Sequence, residues 1–258
     1  MNTAVKAVAS KVPEVTILFW VLKILATTLG ETGGDTVSMS LKLGYLIGSA
    51  IFLVAFVVAV VAQMRARAFS PGLYWFTIIA TTMLGTTMAD FADRSLGIGY
   101  PGGVVILLGG LGASLLAWRW TIGTVDVNTV ASPRVEVFYW ITVLWSQTLG
   151  TALGDWMAGT TGLGYEGGAL VFAAGLTVVA AAYFFTNVSR TLLFWSAFIL
   201  TRPLGATVGD LLDKPVADGG LALSRFYASA ILAAFMIACI LILPQRAGSH
   251  PGRGGTPS

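Results

Sequence analysis

Asp35, Asp90, Asp155 and Asp210 stand at equivalent positions of this chain, each fifteen residues after a tryptophan (Trp20, Trp75, Trp140 and Trp195). A glycine precedes each aspartate by five residues (Gly30, Gly85, Gly150 and Gly205), and another follows by nine (Gly44, Gly99, Gly164 and Gly219). Four like carboxylates brought together need a counter-charge or partial protonation, so the pattern suits cation binding or proton carriage. Residues seven, eleven and fifteen after each tryptophan share one face of a helix, since side chains four apart line up. That stripe reads Thr27, Glu31, Asp35; Thr82, Thr86, Asp90; Gln147, Thr151, Asp155; and Arg202, Ala206, Asp210. Glu31 is a fifth carboxylate, and Thr86, Thr151 and Gln147 supply neutral oxygens of the kind hard cations accept. The only histidine, His250, and the only cysteine, Cys239, stand far from the aspartates in sequence. The donor set therefore favours a hard divalent ion such as Mn²⁺ or Mg²⁺, with all four aspartates as metal ligands.

Two further readings stay open at this stage. The aspartates could be structural, capping helix ends or pairing with Arg202 and Lys214. Arg202, followed by Pro203, is an arginine deep in an apolar segment, where such residues are rare and usually paired. It could form a fixed salt bridge to Asp155 or Asp210, act as a tethered cation, or anchor an anionic substrate. Pro203 is expected to kink its helix.

The elements that carry these groups are expected to be membrane helices. Of 258 residues 56% are hydrophobic and only 10% charged, against about 25% charged in a soluble domain. The net charge of +3 is spread along the chain and implies no nucleic-acid surface. One cysteine excludes an intrachain disulfide. Spans of about 20 apolar residues are expected near 14–35, 45–64, 73–91, 102–120, 136–157, 167–186, 191–212 and 224–244. Two spans per unit give four units, about 12–66, 67–122, 132–187 and 188–244, in a single transmembrane domain over 1–244. Residues 245–258 read as a disordered polar tail. An even number of spans per unit makes the repeats parallel rather than inverted. Basic residues concentrate in the termini and between units, which places both termini in the cytoplasm.

Small residues ten and fourteen after each tryptophan (Gly30 and Gly34, Gly85 and Ala89, Gly150 and Gly154, Gly205 and Gly209) let helices approach closely. Beside the polar stripe, they predict four inner helices packed around a shared axis. The second span of each unit lacks a stripe and is expected outside, facing lipid. The fold class is thus an all-α, eight-span, pseudo-fourfold bundle of inner and outer helices. Gly33 and Gly34 are expected to break the first helix early, Lys23 to snorkel to the cytoplasmic surface, and Phe19, Tyr74, Tyr139, Phe194 and the tryptophans to form an interfacial belt. The glycine-rich turns near Gly97–Gly103 and Gly162–Gly168 read as tight reversals, with Glu166 at their rim.

Thr27-Thr-Leu-Gly-Glu-Thr-Gly-Gly-Asp35, Thr148-Leu-Gly-Thr-Ala-Leu-Gly-Asp155 and Thr201-Arg-Pro-Leu-Gly-Ala-Thr-Val-Gly-Asp210 resemble bacterial inner-membrane proteins of four tandem repeats. Those proteins have two transmembrane segments and a characteristic tryptophan per repeat. The resemblance covers about residues 12–244 and implies a bacterial cytoplasmic-membrane location; it carries no settled biochemical function. The fourth unit departs from it, with Gly220 where the others have Tyr45, Tyr100 and Tyr165. From the residues themselves, the leading expectation is a transporter or channel for a small cation, metal or proton-coupled. The alternatives are a transporter of an anionic or polar solute anchored by Arg202, and a membrane scaffold without transport. No nucleotide-binding loop or nucleophile–base arrangement is present, so no enzyme and no cofactor are expected. The expected partners are the lipid bilayer and the transported ion or solute.

Overall fold

The computed structural model describes residues 10–248. Eight α-helices follow in order: α1 Ile17–Asp35, α2 Gly44–Arg65, α3 Pro71–Asp90, α4 Tyr100–Ile122, α5 Pro133–Thr160, α6 Gly164–Phe185, α7 Arg190–Asp213 and α8 Arg225–Ile242. Among the described residues there is no strand, only an isolated bridge between Pro13 and Ala247. Sequence sets the helix starts: Thr16 caps α1 by accepting from the Phe19 N–H, while Ser70-Pro71 and Ser132-Pro133 place proline in the first turn of α3 and α5. The recurring glycines before the even helices, Gly44, Gly99, Gly164 and Gly219, all have φ between +64° and +87°, a region costly for other residues. That is why the glycine repeats in register.

The odd helices form the inner layer. α1 packs on α3, α3 on α5, α5 on α7, and α7 on α1, closing a four-membered bundle. The even helices form the outer layer, each laid mainly on the inner helix of the next unit: α2 on α3, α4 on α5, α6 on α7 and α8 on α1. The units therefore interlock around the bundle instead of standing as separate hairpins. Five helices (α2, α4, α6, α7 and α8) are long and apolar enough to cross a membrane, the mark of a multi-pass membrane protein. The four outer helices expose most of their apolar surface, with Val54, Val105, Leu170 and Ile231 all more than half exposed. α1, α3 and α5, with 19, 20 and 28 residues, are long enough as well but carry the polar stripe, which lowers their hydropathy; α7 carries it too and is the least apolar of the five.

The small residues of the inner helices are filled by the neighbouring unit. A Cβ added at Gly30 would meet Thr82, at Gly85 Gln147, at Gly150 Arg202 and at Gly205 Thr27. In each case the residue seven after one tryptophan sits over the glycine ten after another. Gly33 and Gly34 do not break α1, which stays helical through Asp35 and continues as a π-helical turn, Thr36–Ser40. Their missing side chains leave room for Met83 and Thr86 of α3. α7 likewise runs unbroken through Pro203.

The aromatic end is closed, and the repeat-equivalent aromatic pairs face inward there instead of forming an outer belt. Tyr74, Trp75 and Tyr139 are fully buried, and each residue before a tryptophan packs on the tryptophan of the next unit: Phe19 on Trp75, Tyr74 on Trp140, Tyr139 on Trp195 and Phe194 on Trp20. The Tyr74 and Tyr139 hydroxyls share a 2.6 Å hydrogen bond. The terminal segments cover this floor. Residues 245–248, expected in a disordered tail, instead pair with residues 10–14, and Gln245 accepts from the Trp75 indole at 2.7 Å. The rest of that tail, 249–258 with His250, lies outside the described residues.

Candidate functional site

The carboxylates gather at the opposite end of the inner bundle. Asp35, Asp90, Asp155 and Asp210 end or nearly end the regular part of α1, α3, α5 and α7, and none is more than 5% exposed. Two basic side chains divide them into pairs. Arg94 Nε lies 3.0 Å from Asp90, and its Nη2 donates to Asp155 at 3.2 Å. Lys214 Nζ lies 3.0 Å from Asp210 and bonds Asp35. Each cation binds the aspartate four residues before it and the aspartate of the next unit, so the fourfold bundle carries a twofold charge pattern. Arg94 and Lys214 both stand nineteen residues after their tryptophans, where the other two units have Met39 and Gly159.

Local structure holds these cations in place. Arg94 sits in the π-helical turn Phe91–Ser95, and its Nη1 donates to the Tyr45 hydroxyl at 3.2 Å. After Lys214 the chain folds back on α7: Leu221 N–H bonds the Leu211 carbonyl and Ala222 N–H the Lys214 carbonyl. Gly220 is the residue this return needs, because a Cβ there would collide with the Lys214 backbone. That explains why the fourth unit lacks the tyrosine. Arg225 continues the network, 3.0 Å from Asp213 and 3.8 Å from Asp35.

One turn deeper lies a second layer. Arg202 is fully buried, and its Nη2 donates to Glu31 at 2.9 Å, Thr86 at 2.6 Å and Thr151 at 2.5 Å. Its carboxylate partner is therefore Glu31, and neither Asp155 nor Asp210. The reason is reach. Residues eleven after the tryptophan lie about 6 Å up the axis from Arg202, whereas the aspartates lie about 12 Å up. Thr27 and Thr82 turn to the helix seams, donating to Thr201 and Ala26 carbonyls at 3.1 and 3.2 Å. Gln147 is buried on Gly85 with neither amide atom bonded.

Lys23 lies deeper still. It does not reach a surface: it is fully buried, its Nζ has no hydrogen-bond partner, and it sits 4.1 Å over the Phe198 ring. The bundle wall and the covered aromatic floor leave it no route to snorkel. Above, Glu31, Asp35 and Asp210 each offer a carboxylate oxygen within 4.8 Å of the others, close enough to share one cation. One oxygen of Asp35 is buried without a hydrogen bond.

Of the residues that the sequence pattern singles out, the fold places Asp35, Asp90, Asp155 and Asp210 in one layer and Glu31, Thr86, Thr151 and Arg202 in the layer beneath it. The pattern missed Arg94, Asp213 and Arg225 as members of the site. Arg94 had a signal, the alternating basic residue nineteen after the tryptophan; Asp213 and Arg225 had none, since only the folded return loop joins them.

A repeat of unknown function, DUF347, matches four times in tandem, over residues 18–69, 73–124, 138–189 and 193–246. The chain belongs to this family. Each DUF347 repeat spans one inner and one outer helix, so every repeat contributes one aspartate to the site and one outer helix to its neighbour. No curated protein and no solved structure matches the chain.

Proposed function

We propose that this DUF347 protein is a transporter or channel for a small cation, with the aspartate ring as its binding site. The observation that carries the reading is a charge imbalance in a buried place. Glu31, Asp35, Asp90, Asp155, Asp210 and Asp213 face Arg94, Arg202, Lys214 and Arg225, so six carboxylates meet four cations. Buried charge of one sign is costly, and the remainder is met by a bound cation or by protons. Glu31, Asp35 and Asp210 offer an all-oxygen set suited to Mn²⁺ or Mg²⁺. A hydrated ion entering there competes with Lys214 for Asp35 and Asp210. Lys214 thus serves as an internal counter-ion that holds the site when the cargo leaves. Proton exchange on the same carboxylates is the matching source of coupling.

In this reading all eight helices cross a bacterial cytoplasmic membrane, with both termini in the cytoplasm and the aspartates toward the outer side. The basic residues at the termini and between units support that orientation. The polar inner helices cross shielded by the outer ones, as polar groups in hydrocarbon require. Arg202 is a poorer anchor for an anionic solute, because it is fully buried and already paired with the Glu31 carboxylate at 2.9 Å. The role needs no catalytic residue and no cofactor. Cation flux into proteoliposomes tests the proposal: it is expected in the wild type and lost when Asp155 or Asp210 is neutralised.

A further inference from the structure

A large groove lies away from the aspartates, on the flank where α1 meets α7 under α6. It measures about 750 Å³, within the range of small-molecule sites. Its wall is apolar, with Trp20 and Ile24 from α1, Leu176 and Val179 from α6, and Ala197 from α7. One end is charged: Glu14 precedes α1, Asp126 lies in the connection after α4, and Arg190 begins α7. From Arg190 the groove follows α7 as far as Thr201. Eleven helical residues cover about 16 Å, close to the ~15 Å depth of one leaflet's hydrocarbon.

The charged end has a definite chemistry. The Arg190 guanidinium is fixed by donating to the Tyr183 carbonyl at 2.5 Å and stacking 4.2 Å over the Tyr183 ring, which leaves its other N–H groups free for an acceptor. Glu14 is exposed and makes no ion pair among the described residues. Asp126 uses one oxygen for the Asn128 backbone and side-chain N–H groups, both at 3.0 Å, and leaves the other free. One cation beside two carboxylates complements a headgroup with one phosphate and one ammonium. A headgroup with a phosphate alone would meet a net negative rim. A primary ammonium also donates the hydrogen bonds these carboxylates accept.

We propose that the groove is a binding site for a zwitterionic phospholipid with a primary ammonium, of the phosphatidylethanolamine type. The phosphate lies on Arg190, the ammonium between Glu14 and Asp126, and one acyl chain along α7. This site is independent of the cation reading and stands or falls separately from it.

The test is native mass spectrometry of the full chain, delipidated in detergent and titrated with phosphatidylethanolamine or phosphatidylglycerol. One phosphatidylethanolamine should be retained per chain, with at least a tenfold preference over phosphatidylglycerol. The double variant Glu14→Gln, Arg190→Gln should lose that preference while unfolding at the wild-type temperature, since both residues are exposed. Equal retention of the two lipids, an undiminished preference in the variant, or a dimer that excludes lipid from the groove would each overturn the proposal.

Discussion

Removing the Arg202 side chain tests whether the two-layer polar column holds the inner bundle together. Arg202→Met keeps the volume and the apolar stem but leaves Glu31 buried without its counter-charge, along with two threonine hydroxyls that lose a donor. Breaking a buried ion pair from one side costs about 3–5 kcal/mol. For a chain of this size, each kcal/mol moves Tm by about 2–4 °C, so the variant should unfold about 6–20 °C below the wild type. The double variant Arg202→Met, Glu31→Gln removes both charges, and replacing a buried pair by neutral groups is often close to neutral. It should recover most of the loss. The assay is thermal unfolding in one detergent at one scan rate, with all three proteins run as a cycle. A single-variant shift under ~3 °C, or a double variant no more stable than Arg202→Met, would refute the assignment of Glu31 as the partner.

Two other outcomes follow from the packing and are read in the same unfolding assay. Gly205→Ala adds a methyl where Thr27 of the adjoining helix already sits; overpacking of about 1–3 kcal/mol should lower Tm by about 2–12 °C. Gly109→Ala, with nothing near the added atom, should not lower it, and equal effects at both positions would show that helix propensity, and not the seam, decides. Lys23→Met removes an ammonium buried without a hydrogen bond, so Tm should rise by at least ~2 °C; a fall would mean that Lys23 has a stabilising partner.

The repeat register was legible in the sequence because each unit pays the same local constraints: glycine where φ is positive, small residues at the inner seams, and aspartate at the end of the stripe. All eight helices begin and end within a few residues of the expected spans. What the sequence hid came from contacts between units. Lys23 and the aromatic pairs lie where a helix would meet the membrane surface, yet the terminal segments and the 123–132 connection cover that end. The repeat spacing points Arg202 to the aspartates Asp155 and Asp210, but a side chain reaches only one turn, where Glu31 stands. The twofold division of the aspartates depends on Arg94 and Lys214; the sequence offers Lys214 as a partner for the aspartates, but hydropathy and helical periodicity do not tell which two each cation joins. The interlocking of outer helices with the next unit has no local signal at all, since a two-helix repeat reads equally well as a closed hairpin.

The most direct measurement is flux of Mn²⁺, Mg²⁺ and protons into proteoliposomes, comparing wild type with Asp155→Asn, Asp210→Asn and Lys214→Gln. The account predicts uptake of a hard cation by the wild type, its loss in both asparagine variants, and altered ion affinity with retained flux in Lys214→Gln. Absence of flux for every ion, or normal flux in both asparagine variants, would contradict it and return the aspartate ring to a purely structural role.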